Sequence, residues 1–173
     1  GEMLQEPDPA LIIERFGGEI EFRNADVDYL APLTPAAGVD GRATYDMERF
    51  DIDVWSGTAG DIVIEAAEIA ITGFQEEDQA IAIDLDLDAP LRSALTLLNT
   101  EPYGFVSRLG LDPQTIKGRS KTKVTFEFPL VDDLEGSDVL FEASARLGDV
   151  RVTEPSLDIV ASAPTLDLWI DNR

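Results

Sequence analysis

The chain contains no cysteine and no histidine. The first absence excludes thiol nucleophiles, disulfides, zinc clusters and iron–sulfur ligation, and the second excludes imidazole bases, histidine-dependent triads and His-ligated metals. Positive charge is scarce: 13 Lys and Arg against 35 Asp and Glu give a net charge of −22 over 173 residues. Such a field repels phosphate backbones, so nucleic acid is not an expected partner, and anionic membrane surfaces repel the bulk of the domain. Long apolar runs are missing too. None approaches the roughly 20 residues of a spanning helix, and the opening GEMLQEPDPA has no basic region followed by an apolar stretch. Without thiols the chain is indifferent to redox poise, which suits cytoplasm and periplasm equally. Because it opens on Gly1 and stops at TLDLWIDNR, in what reads as a strand, it is expected to be a piece of a longer protein.

What is present is ample apolar material. With 44% hydrophobic residues the chain can bury a core despite its charge, and its length suits one domain, taken as a single β-rich module over 1–173. The strongest period is two. In AIAIDLDLDA, Ile81, Ile83, Leu85 and Leu87 alternate with Ala82, Asp84, Asp86 and Asp88, the pattern of a half-buried strand. TIKGRSKTKVTFEFPL repeats it, with Ile116, Val124, Phe126 and Phe128 on one parity and Lys117, Arg119, Lys121, Lys123, Thr125 and Glu127 on the other. Pro129 lacks a ladder donor and ends that strand. Shorter alternations surround Ile52 and Val54, and Leu166, Leu168 and Ile170. Parity changes midway where Ile20 and Phe22 give way to Ala25, Val27 and Tyr29, and where Val139 to Leu147 give way to Val150 and Val152, so bulges are expected there. Gly17-Gly18, Gly38 to Gly41, Gly57 to Gly60, Gly73 and Glu135-Gly136 read as turns in a meander.

The middle has a different period. Leu91, Ala94, Leu95 and Leu98 recur at helical spacing after Pro90, which fits a first-turn proline, and Asn99 stops the helix. Thr100 caps a second short helix with Tyr103, Val106 and Leu109 on one side and Gly110 as terminator, making a two-helix insert over about 90–110. Asp8-Pro9 ahead of LIIERF allows a third short helix, with a strand the alternative.

Asp84, Asp86 and Asp88 begin like a calcium loop, but Pro90 and Thr96 stand where its glycine and glutamate belong, so no metal site is expected. Paired carboxylates serve glycoside hydrolysis only when space and pKa set them apart, which spacing does not show. No catalytic residue and no cofactor is expected. The basic stripe is more specific: four of the 13 positive charges, Lys117, Arg119, Lys121 and Lys123, fall in seven residues on one strand face. It serves either an anionic headgroup or partner, or, the favoured alternative, the acidic face of the strand near residue 85, where opposite charges contribute about 0.2 to 1 kcal/mol per pair. Either way the strand near 85 is expected to pair with the strand near 120, closed over by the two helices. Tyr29, Trp55, Tyr103 and Trp169 are read as packing residues before binding residues. The apolar face itself must be covered by a second sheet, by the helices or by a ligand.

Several stretches together carry a resemblance: FRNADVDYLAPLTPAAGVDGRATYD, TGF, PLRSALTLLNTEPYGFVSRLGLDPQTIKGRSKTKVTFEFPL and SARLGDV. Over roughly residues 16 to 152 the chain resembles the domain of unknown function in YhdP-type members of the AsmA-like family of proteobacteria. Asp26 to Tyr29 match a strand end, Pro35 to Gly41 a turn into a strand, Leu91 to Leu98 a leucine-rich helix, Gly110 to Pro113 a turn, and Phe128 to Leu130 a strand close. The resemblance implies a periplasmic protein held in the inner membrane by an N-terminal helix, with antiparallel sheets curled into an apolar groove and a part in phospholipid transport and envelope integrity. The expected fold is therefore mainly β: an antiparallel curved sheet, as a β-groove or open sandwich, with a short two-helix insert. Ile81, Ile83, Leu85, Leu87, Val124, Phe126 and Phe128 would face phospholipid acyl chains or a core, and the rest of the parent chain and envelope proteins are the other expected partners. The alternative function is a structural or protein-docking β-domain of the envelope.

Overall fold

The computed structural model describes residues 16–28, 34–74, 78–99, 112–135, 137–154 and 156–172. Its strands are β1 (Gly18–Val27), β2 (Ala36–Tyr45), β3 (Arg49–Ala59), β4 (Ile62–Thr72), β5 (Ala80–Pro90), β6 (Ile116–Pro129), β7 (Leu140–Glu154) and β8 (Ile159–Asp171). One helix, α1 (Leu91–Leu98), follows β5, and a 3-10 turn, Pro113–Thr115, leads into β6. The eight strands form one sheet in the order β1-β2-β3-β4-β5-β6-β7-β8, each antiparallel to its chain neighbour. The protein is thus mainly β, an open antiparallel meander. Among the described residues no second sheet lies on it, so the sandwich alternative is not the architecture seen.

Period-two alternation explains why these segments pair as they do. A one-residue slip would turn every apolar side chain of a strand to the charged side, so the pattern fixes the register. Both expected parity changes coincide with irregularities. The β1–β2 register shifts between Phe22 and Ala25, next to Asn24 at φ 51°. The β6–β7 register shifts between Lys117 and Arg119, opposite Asp149 at φ 51°. Each bulge takes up one extra residue, so the apolar residues beyond it return to the same face.

The glycines divide. Gly60 and Gly73, at φ 64° and 85°, sit at strand ends as expected. Gly38 to Gly41 do not form a turn: they lie inside β2, as Gly57 lies inside β3. Gly38 is at φ 61°, beside the β1–β2 irregularity, and Gly41 is needed for close approach rather than reversal. Gly18 likewise opens β1 beneath the Tyr45 ring. Strand β4 was not legible from alternation, because its own shift between Ile64 and Ala66 interrupts the period within an alanine-rich segment.

Helix α1 spans the expected residues, but Pro90 is its N-cap at φ −56°, ψ 134°, one position earlier than a first-turn proline. Pro90 also closes β5, so strand runs into helix without a loop. Asn99 ends the helix in the αR region. The second helix of the insert, the segment preceding Phe16, Tyr29, Tyr103 and Gly136 lie outside the described residues. Helix α1 packs on β5, β6 and the 3-10 turn. It does not close over the β5–β6 pair along its length: its cluster joins Leu91 and Leu95 to Ile116, Leu147 and Val150, at one end of the strands. A second cluster unites Val124, Phe141 and Ala143 with Leu85, Leu87, Phe126 and Ile170 further along the same face. No large side chain among the described residues is fully enclosed, as befits a single layer.

Candidate functional site: an open apolar face and a charged reverse

The register aligns apolar residues into rows that run across the strands. One row crosses all eight: Phe22, Gly41, Val54, Ala67, Leu85, Val124, Ala143 and Ile170, each opposite the next. The adjacent row runs Ile20, Ala43, Ile52, Ile69, Ile83, Phe126, Phe141. There the Phe126 and Phe141 rings meet in a tilted pair with centroids 5.4 Å apart. A further row at the strand ends links Tyr45, Phe50, Ile71, Ile81 and Phe128. All seven residues singled out as lipid- or core-facing therefore share one face with apolar residues of the other strands. Most are only half-buried, shielded by their neighbours in the row, with Val124 the buried exception. Toward the sheet edges the face is wetter, with Ile20 and Leu168 about half exposed.

The reverse face is charged. Glu21, Arg42, Asp53, Glu68, Asp84, Thr125, Glu142 and Asp171 make a row across it, with Asp53, Glu68 and Asp84 directly opposite one another on β3, β4 and β5. The basic stripe is on this side, and three of its members meet the acidic residues of β4 and β5. Lys123 Nζ donates to Asp86 Oδ1 at 2.6 Å, Lys121 Nζ donates to Glu65 Oε1 at 2.8 Å, and Arg119 pairs with Asp88. The Glu65 hydrogen bond and charge raise the Lys121 ammonium above its ordinary pKa, with Asp88 adding to the effect. Lys117 stands opposite Arg151 and makes no ion pair with the described residues. These lysines point away from the apolar face, so a chain lying on that face has the thickness of the sheet between itself and the stripe.

Lys121, Lys123 and Arg146 line a shallow depression of about 580 Å³ on the charged side, with Glu65, Asp86, Asp167 and Trp169. Its three carboxylates are each bound by one of its three cations, Arg146 Nε donating to Asp167 at 3.1 Å. Trp169 is largely exposed there, and Trp55 is half-exposed on β3. A smaller hollow of about 280 Å³ lies at the start of α1, where Ser93 Oγ donates to Asp61 Oδ2 at 2.7 Å. Among the described residues no three carboxylates converge as a metal-holding group. No described helix is long and apolar enough to cross a membrane.

The functional feature that alternation alone could not deliver is the continuity of the rows. It depends on the register of β4, whose Ala67 and Ile69 join the rows of β3 to those of β5, while the bulges bring Ala25, Val39, Gly57 and Ile64 back to the apolar side beyond those rows. Comparison with protein-family models, with curated proteins and with solved structures gave no match to this chain.

Proposed function

We propose that this chain is a non-enzymatic segment of a lipid conduit of the AsmA-like kind, working in the periplasm and carrying phospholipid acyl chains on its apolar face toward the outer membrane. The observation that carries the proposal is the uninterrupted apolar row from Phe22 to Ile170 on a one-layer sheet. A monomeric soluble domain rarely leaves so large an apolar surface uncovered, and among the described residues α1 covers only one end of it. Strands spaced about 4.8 Å apart make the row about 34 Å long, against the roughly 15 Å that one leaflet's chains span. Each methylene laid on it is worth about 0.8 kcal/mol, and the rows offer no polar group to fix an acyl chain in place, so the chain is held and still slides.

The test places a photo-crosslinking residue at Phe126, and separately at Glu127, in the intact parent protein in cells labelled with radioactive phospholipid. The two positions differ only in face. Lipid adducts at Phe126 and none at Glu127 support the conduit. Protein adducts alone, or none at either position, move the assignment to a docking β-domain of the envelope.

A further inference from the structure

Carboxylates outnumber cations in this chain by 35 to 13, so a lysine or arginine has partners in plenty. Most take one: Arg42 pairs with Asp53, Arg119 with Asp88, Lys123 with Asp86 and Arg146 with Asp167. Among the described residues three cations take none: Arg92, Lys117 and Arg151. They are not scattered. Lys117 on β6 and Arg151 on β7 stand directly opposite one another and so share a face. Arg92, on α1, lines with Lys117 the hollow of about 280 Å³ where the helix meets the end of the sheet. Both strands are internal, with β5 paired on one side and β8 on the other.

Like charges directly opposite on neighbouring strands destabilise a sheet, and the chain's own carboxylates do not relieve this pair. Asp149 and Glu154 are on the strand of Arg151, but Asp149 pairs with no cation among the described residues and Glu154 is bound to Ser156. Asp61, which lines the hollow, accepts instead from Ser93 Oγ at 2.7 Å. Positive charge from three elements is thus left uncompensated at one place on a strongly acidic surface. Such a cluster calls for an anion, and for one unlike the side-chain carboxylates that the chain holds in excess and leaves unused here. A phosphate group meets that description. Its oxygens are set tetrahedrally and accept from guanidinium forks and an ammonium that approach from different directions. We propose that Arg92, Lys117 and Arg151 form a binding site for a phosphate group, borne by the free ion or by a phosphodiester headgroup. The site does not depend on the lipid reading of the apolar face.

The test follows the side-chain NMR signals of Arg92, Lys117 and Arg151 in the full chain, titrated with inorganic phosphate and, separately, with monomeric dihexanoyl phosphatidylglycerol. Sodium chloride at matched ionic strength reports screening alone. Saturable shifts at all three residues, absent with chloride, are expected. Lys117→Gln and Arg151→Gln, at exposed positions and with circular dichroism unchanged, each weaken binding by about tenfold or more. Arg23→Gln, which removes one positive charge on a distant strand, leaves binding unchanged. A response to phosphate alone assigns the free ion, and a response to the lipid assigns the headgroup. Shifts no larger than those with chloride for both probes overturn the proposal, as does undiminished binding by Lys117→Gln and Arg151→Gln. Lipid shifts confined to the apolar face, with the three cations unmoved by either probe, support the lipid reading and overturn this one.

Discussion

The ring of Phe22 occupies the space that a side chain on Gly41 would need. A Cβ built on Gly41 comes within 2.6 Å of Phe22 Cζ and closer still to the carbonyl oxygen of Asp53. The glycine therefore keeps the eight-strand row continuous at its β1 end by letting an aromatic from the edge strand lie over β2. Gly41→Ala is expected to destabilise the protein by about 1 to 3 kcal/mol. Urea denaturation checks this as a lower midpoint with an unchanged slope. Adding Phe22→Ala does not restore stability, because the Asp53 backbone still stands in the way.

This pair also marks where sequence reasoning stopped. The faces of β5 and β6, and the pairing between them, were legible because Asp86 and Lys123, like Asp88 and Lys121, alternate with branched apolar residues over long uninterrupted runs. The bulges near Asn24 and Asp149 were legible because two inward residues at odd spacing break that alternation. Gly41 was not, since a glycine required by a neighbouring ring has the same local signature as a glycine required by a turn. Strand β4 was lost for a related reason: Ala67, Ile69 and Ile71 alternate with Glu68, Ala70 and Thr72, but the bulge between Ile64 and Ala66 cuts this run off from Ile62 and Ile64, and its alanines weaken the contrast between the faces. For the candidate site, each strand's inner residues could be read, while the joining of the rows rests on long-range register that no single segment encodes.

The row Asp53, Glu68, Asp84 sets three carboxylates directly opposite one another on adjacent strands. Like charges in that position repel, and the net charge of −22 adds a diffuse repulsion. Raising salt shortens the screening length from about 10 Å at 0.1 M to about 3 Å at 1 M. The melting temperature is therefore expected to rise with sodium chloride over that range. Glu68→Gln raises it at low salt by relieving about 0.2 to 1 kcal/mol, and the gain shrinks at high salt. Calorimetry of both proteins at the two salt concentrations checks the pair of outcomes.

The bond between Lys123 and Asp86, at 2.6 Å, lies in the open, with the lysine side chain three-quarters exposed. Solvent and side-chain entropy discount such pairs heavily. A double-mutant cycle with Lys123→Ala and Asp86→Ala is expected to give a coupling below about 1 kcal/mol. The stripe then contributes register and local neutralisation more than net stability. A coupling several times larger would mean that the charged face is desolvated, contrary to its exposure.

Leu91 is the anchor of α1, buried against Ile116, Leu147 and Val150 where the helix crosses the strand ends. Pro90 holds no side-chain cap on the helix, so the helix depends on this contact. Truncation to alanine is expected to cost about 2 to 5 kcal/mol and to loosen the one described cover on the apolar face. An environment-sensitive apolar dye should bind more strongly to Leu91→Ala under conditions where circular dichroism shows the sheet intact. Unchanged dye binding would place the cover elsewhere.

Glu154, at the end of β7, accepts hydrogen bonds from the Ser156 hydroxyl and from the Ser156 N–H at 3.1 Å. These bonds favour the carboxylate and hold its pKa below the ordinary glutamate value, the hydroxyl contributing most. A carboxyl group whose pKa is lower folded than unfolded stabilises the fold above its unfolded pKa, and that contribution disappears as pH falls through the folded pKa. Acidification through the folded pKa thus removes the hold of Glu154 on Ser156. Ser156→Ala removes the hydroxyl and leaves the backbone donor, so the Glu154 titration midpoint should move up part of the way toward the ordinary value. A carboxyl-detected NMR titration of the two proteins reads this directly, and equal midpoints would show that the hydroxyl does not bind the carboxylate in solution.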